Sequence, residues 1–289
     1  VKTFVHWLLA QRQRLIIVAV VAAPLFAIVT AGLLALETAR RGVAQALLSS
    51  VAVTIGVSLL ALVSRGDVTA FALIGLVSCL TGVLVGGLVR WAGNLVLAFQ
   101  GVLLVCFALV IAFELFGPDP QALMAPSMQE LSVVLGSAGY PETEIAAITA
   151  QVNAILPSLP ALMVFSTLVT ALMLGYWLWS FAGEESRFGE EFRALKLGRW
   201  LGAAAVLLLV LGLVFDAALV QNLVLLALSA AVFQGLALLH AFAHARRWSA
   251  GLMVLWYVVL LLVPIVLLPF GILGLIDNWL NLRARIREA

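Results

Sequence analysis

Charge is scarce in this chain. Lysine, arginine, aspartate and glutamate make up 10% of its 289 residues, against roughly a quarter in soluble domains. So few ionised groups cannot cover a water-soluble surface of this size, and a mean hydropathy of +1.18 points to a bilayer. The net charge is only +2, and no basic stripe interleaves with aromatics, so nothing suggests a nucleic-acid partner. Cysteine is limited to Cys79 and Cys106, both inside apolar runs. A disulfide framework is therefore not expected, and inert packing is the plainer reading of both thiols. There is no metal-ligand spacing, paired-carboxylate motif, nucleophile–base pair, Walker loop or H-E-x-x-H. No catalytic residue, metal or cofactor is assigned, and catalysis has no positive support.

What the chain does have is long apolar runs. They fall at about 15–36, 43–63, 68–89, 94–116, 159–182, 200–216, 218–244 and 250–276. A span needs about 20 apolar residues, and these runs lack the alternation of barrel strands. The fold class is all-α: one membrane domain over 1–289, a polytopic transmembrane bundle of about eight apolar segments. The run after Arg12 and Arg14 has signal-like polarity but no clear A-x-A site, so it reads as an uncleaved first span.

Lysine and arginine placement orients the bundle. The loop "GEESRFGEEFRALKLGRW" (183–200) and the turn "ARRW" (245–248) carry bases and should be cytoplasmic. The segment 117–158 has no lysine or arginine but has Asp119, Glu130, Glu142 and Glu144, so it belongs outside. Trp91, Trp200 and Trp248 each adjoin a basic residue, as in an interfacial belt. The termini conflict with simple counting. A single crossing by the first run places Lys2, Arg12 and Arg14 outside, and a single crossing by the last expels Arg283, Arg285 and Arg287. Breaks at Pro24, and at Pro264 and Pro269, remove both conflicts by making re-entrant hairpins. Within 117–158, "SMQE" (127–130) and the spacing of Ile145, Ile148, Val152 and Ile155 predict two short amphipathic helices. They form a packed lid, with gating the less favoured role.

Polar groups at membrane depth are the candidate site. Asn222 and His240 lie eighteen residues apart, on one helix face and about 27 Å apart along the axis. Gln234 sits at intermediate depth, about 120° away, and Gln100 is a second mid-span amide. An unpartnered amide is costly in hydrocarbon, so these side chains must face protein or water. They are the substrate-binding candidates, although for His240 and His244 an interfacial position is the favoured reading. Asp277 is expected to form a structural ion pair, with Arg283 or with an arginine of a neighbouring cytoplasmic loop. Alanines at 19, 23, 27, 31, 35 and 39 form a ladder at spacing four that permits close helix approach. Internal packing is the default for it. Docking of a separate membrane subunit through Ala23, Ala27, Ala31 and Ala35 is the alternative.

Several stretches carry a resemblance: "ETARRG" (37–42), "RGD" (65–67), "RFGEEFRALKLGRW" (187–200), "QNLVLLALSAAVFQGLALLHA" (221–241) and "GLIDNWLNLRARI" (274–286). In these the chain resembles the YybS-like family of bacterial membrane proteins, domain of unknown function 2232, in its proteobacterial form. The resemblance implies a place in the bacterial cytoplasmic (inner) membrane and no established activity. The hydrophobic pattern is also similar to that of substrate-binding subunits of energy-coupling-factor transporters, which bind small molecules within a helical bundle. Those usually have six spans and lack the external insertion. This similarity would make Gln234 or Asn222 a ligand contact and the alanine ladder a docking face.

The first functional expectation is a small-molecule-binding or transport-related subunit, its cavity lined by Asn222, Gln234 and Gln100. The alternative is a non-catalytic scaffold or assembly factor. It would recruit a cytoplasmic protein through 183–200, where "FGEEFRAL" sets Phe188 and Phe192 one turn apart beside Glu191 and Arg193. A lipid-directed enzyme using His240 ranks third. The lipid bilayer is a partner in every case.

Overall fold

A computed structural model of the protein describes residues 1–183 and 187–284. Its helices, in chain order, are α1 (Lys2–Ala10), α2 (Arg12–Ala22), α3 (Ala27–Arg41), α4 (Val43–Ser64), α5 (Val68–Ala92), α6 (Leu95–Phe116) and α7 (Pro120–Ser137). They continue with α8 (Glu142–Ile155), α9 (Leu159–Phe181), α10 (Phe188–Ala194), α11 (Gly198–Val214), α12 (Ala218–Ala245), α13 (Ala250–Leu262) and α14 (Leu267–Leu280). No strand occurs among the described residues.

Length separates helices that cross from helices that return. Each residue adds about 1.5 Å, and the hydrocarbon layer is about 30 Å thick. α4, α5, α6, α12 and the continuous α8–α9 stretch are each long and apolar enough to cross. α10 and α11 together pass the same test as a pair bent by 53°. Six helices, α4, α5, α6, α9, α11 and α12, therefore run between the two ends of the bundle.

The first and last apolar runs turn back. α2 stops at Ala22, beside Pro24, and α3 restarts at Ala27; at 11 and 15 residues neither reaches across. Arg12, at the start of α2, donates to Ser49 Oγ (2.8 Å) and to Gln45 in the first turns of α4. Arg41, at the end of α3, donates to the Leu9 carbonyl (2.6 Å). The two limbs thus begin and end at one level, and Thr30 Oγ1 ties them by donating to the Ala19 carbonyl (2.8 Å). α13 and α14 form a second such hairpin, bent by 110° around the short helical turn Pro264–Val266. Its first limb starts where Trp248 packs edge-on against Phe242, and its second ends where Lys196 Nζ donates to Asn281 Oδ1 (2.6 Å).

One end of the bundle therefore gathers both hairpin mouths, the α5–α6 turn, α10 with its linker to α11, and the α12–α13 turn. Every described arginine except Arg65 lies at this basic end, and Arg283 joins it; Arg285 and Arg287 lie outside the described residues. The opposite end carries Asp67, Glu114, Asp216 and the acidic α7–α8 hairpin.

The alanine ladder resolves into internal packing, which corrects the docking expectation for most of its members. The ladder is not one helix, because the chain breaks between Ala22 and Ala27. Residues Thr30 to Ala39 of α3 are buried without interruption, so this helix is enclosed on every side. Ala31 and Ala35 set their carbonyls directly against Gly82 and Gly86 of α5, and Ala35 also faces Gly175 of α9. Ala23 is buried as well, while Ala27 is exposed. Small residues permit this backbone approach, and van der Waals contact supplies the attraction.

Candidate functional site

The linker between α10 and α11 is non-helical backbone set against the bundle, and its polar groups need partners there. Side chains provide them. Gln234 is fully buried, and its Oε1 accepts from the Leu197 amide (2.8 Å). Its Nε2 donates to Asn278 Oδ1 (3.3 Å), an oxygen that also accepts from the Gly198 amide (3.0 Å). Gln100 Nε2 donates to the Lys196 carbonyl (3.0 Å). Arg283 donates to the carbonyls of Arg193 and, at 2.6 Å, Leu195. Two of the sequence-selected amides therefore meet on one feature, and that feature is this chain's own backbone.

The ion pair behind Arg283 is close. Its Nε lies 3.0 Å from Asp277 Oδ2, with the carboxylate fully buried. The approach is off the hydrogen-bond direction, so neither Asp277 oxygen accepts a hydrogen bond from a described residue. Burial lowers the Arg283 pKa and the Asp277 charge opposes that shift. An arginine stays protonated at any physiological pH, so Arg283 keeps its charge.

The other candidates lie elsewhere. Asn222, at the acidic end, donates to Glu114 Oε1 and to the Pro157 carbonyl (2.9 Å) beneath the α7–α8 hairpin. Its Oδ1 is buried without a partner among the described residues. His240 shares a 2.6 Å hydrogen bond with Tyr257 and packs edge-on against Phe192. Asn222, Gln234, Gln100 and His240 thus do not converge on one cavity.

The apolar face of α10, half-buried, packs against the bundle's own side chains. Phe188 packs beside Tyr176, and Phe192 meets Phe233 and His240. Glu191 accepts from the Leu95 amide (2.6 Å), supporting the start of α6, and from Tyr176 Oη (2.6 Å). Of this set only Arg193 turns toward open space.

That space is a cavity of about 630 Å³ at the basic end, lined by Glu190, Arg193, Lys196, His244, Asn281 and Arg283 with small alanines between. A second, of about 520 Å³, has Arg193 and His244 in its wall too, with His240, Arg247, Trp248 and Met253. A third, of about 620 Å³ between α5, α6 and α9, offers only threonines as polar lining.

Sequence reasoning missed three residues in this arrangement. Asn278 stands beside the more conspicuous acid Asp277, and Lys196 is one of several bases in the 183–200 loop with nothing in the sequence to set it apart. Glu37 is fully buried near the mouth of the first hairpin. It accepts from Ser49 (2.9 Å) and lies 3.5 Å from both Arg12 and Arg41, with Oε2 unpartnered. No group of three or more His, Cys, Asp or Glu among the described residues could hold a metal ion.

Apolar crossing helices, two returning hairpins and segregated charge define a polytopic α-helical membrane protein. Residues 14–278 match the family described as predicted membrane protein DUF2232, and the chain belongs to that family. No curated protein and no solved structure matches it.

Proposed function

We propose that the protein is a binding subunit of the bacterial cytoplasmic membrane, related to transport, that receives a small anionic ligand at its basic end. The observation that carries this reading is the 630 Å³ cavity, where Arg193, Lys196 and Arg283 stand together with Glu190 as the one lining acid. A concave site with a few convergent polar groups is the usual form of a small-molecule pocket. Positive charge collects on the cytoplasmic side of membrane proteins, which makes the basic end cytoplasmic and the α7–α8 hairpin extracytoplasmic. Counting crossings as six also brings the chain to the usual number in energy-coupling-factor substrate-binding subunits, a likeness of architecture only. Gln234 and Gln100 serve this site by holding its linker wall.

The test is ligand recovery and rebinding. Full-length protein purified in mild detergent should release an anionic small molecule or lipid on extraction. Anions of phosphate and carboxylate type should then raise its melting temperature in a concentration-dependent way. Protein that yields no anion and responds to none of them is not a subunit of this kind.

A further inference from the structure

The chemistry of the cavity wall narrows the ligand further. Arg283 is neutralised by Asp277, and Lys196 already donates to Asn281. Arg193 differs. Its backbone carbonyl is used by Arg283, but its half-buried guanidinium makes no hydrogen bond or ion pair to any described residue. A partly desolvated charge without a counter-charge is unfavourable, so an anion seated against it is stabilised by removing that penalty. Arg193 also lies in the wall of both basic-end cavities, as does His244.

The directions of the donors matter as much as their charge. Arg193 comes from α10, Lys196 from the linker, His244 from α12 and Asn281 from the end of α14. A carboxylate presents two oxygens in one plane and is satisfied by a single arginine fork. A phosphate presents several oxygens in tetrahedral directions and can accept from several elements at once. The adjoining cavity is of different character: Trp248 and Met253 flank it, and Trp248 stacks on Trp256 at 6.4 Å. Tryptophans of this kind mark the headgroup level of a bilayer.

Resting on the anion-binding reading above, we infer that the ligand carries a phosphate group, held by Arg193 with Lys196 and His244. Two sources share that chemistry: the headgroup of an anionic phospholipid and a soluble phosphate compound.

The experiment uses full-length protein in detergent micelles and follows its melting temperature with four added probes. These are phosphatidic acid, inorganic phosphate, oleate and phosphatidylcholine. Phosphatidic acid is expected to raise the melting temperature, with apparent affinity reduced about ten- to a hundred-fold in Arg193→Gln, the loss of one charge-assisted arginine contact. Arg199→Gln, exposed and outside both cavities, should respond as the unaltered protein does. The Arg193 guanidinium makes no hydrogen bond or ion pair to any described residue, and its replacement keeps the backbone carbonyl that Arg283 uses, so the unliganded melting temperature should stay in place. A response to phosphatidic acid alone identifies a lipid headgroup, and a response to inorganic phosphate as well identifies a soluble phosphate. The phosphate assignment is overturned if neither phosphate acts, if phosphatidylcholine acts equally, or if Arg193→Gln responds undiminished. Should oleate alone act, and depend on Arg193, the phosphate inference fails while the anion-binding reading stands. If no anion acts, both fall.

Discussion

Replacing Gln234 by leucine is the most direct test of how the linker is held. The substitution keeps bulk but deletes the acceptor of the Leu197 amide and the donor to Asn278 Oδ1. Hydrogen bonds between membrane helices average only about 0.6 kcal/mol and reach about 1.7, because the unfolded chain in lipid also finds partners. The larger part is the Leu197 N–H left behind. A buried donor without an acceptor costs about 1–3 kcal/mol, and Leu197 is buried. Leucine recovers some of this by burying more apolar surface, so the expected loss is about 1–2 kcal/mol. Denaturation in mixed micelles measures that loss, and hydrogen exchange localises it. The amides of Leu197 and Gly198 should exchange about ten-fold faster, since each 1.4 kcal/mol is a factor of ten. Gln100→Leu is the comparison. It strands only the Lys196 carbonyl, and under-satisfied carbonyls are tolerated better than orphaned amides. Its effect should be smaller. If Gln234→Leu unfolds at the same denaturant concentration and leaves Leu197 exchange unchanged, the amide does not hold the linker.

Three further outcomes are expected. Gly235→Ala and Gly274→Ala should each cost about 2–3 kcal/mol, because the new methyl would overlap the Phe270 and Ala231 carbonyl oxygens respectively; Gly87→Ala, with only Val43 Cγ2 at 3.9 Å, should be nearly neutral by the same unfolding assay. Asp277→Ala leaves Arg283 charged and unpaired near the interior and should cost about 3–5 kcal/mol, part of which returns in the double variant Asp277→Ala/Arg283→Met. Single cysteines replacing Arg14, Arg199 and Asn281, in a chain with Cys79 and Cys106 changed to alanine, should react with an impermeant maleimide from one side of the membrane. A cysteine at Asp119 should react only from the other, and labelling of Arg14→Cys or Asn281→Cys together with Asp119→Cys would refute the returning hairpins.

The crossing helices were legible because length and hydropathy suffice for them. Boundaries drawn at 43, 68, 159 and 218 coincide with helix starts. The two hairpins were legible indirectly: the misplaced charges of Arg12, Arg14 and Arg283, together with Pro24 and Pro264, left few alternatives. Pairing was not legible. Alanine spacing shows that Ala31 and Ala35 can be approached closely, but not whether Gly82, Gly86 or another protein does so. The same limit applied to Phe188 and Phe192, whose one-turn spacing defines an apolar face without naming its partner. The roles of Gln100 and Gln234 were hidden for a different reason. Their partners are main-chain groups of residues 196 and 197, and a main-chain group has no signature in sequence until the local backbone leaves the helix.

This distinction changes which polar groups bear on function. An amide deep in a bundle looks like a ligand contact as long as the backbone around it is assumed helical. Once the α10–α11 linker is placed, Gln100, Gln234, Asn278 and Arg283 are all engaged in satisfying it, and their donors are no longer available to a ligand. Apart from Thr54 Oγ1 and the Asp277–Arg283 pair, the polar groups left unengaged among the described residues include three of note: the Arg193 guanidinium, the second oxygen of Glu37 and the carbonyl oxygen of Asn222. Glu37 faces two arginines from the first hairpin, and Asn222 lies under the α7–α8 hairpin against Glu114. Arg193 alone of the three opens onto space large enough for a small molecule, with further cations in the same wall. The residues that shape this pocket and the residue that would hold its ligand are therefore different. A substitution that abolishes binding by collapsing the linker can be told from one that removes the anchor: the first moves the unliganded stability and the second does not.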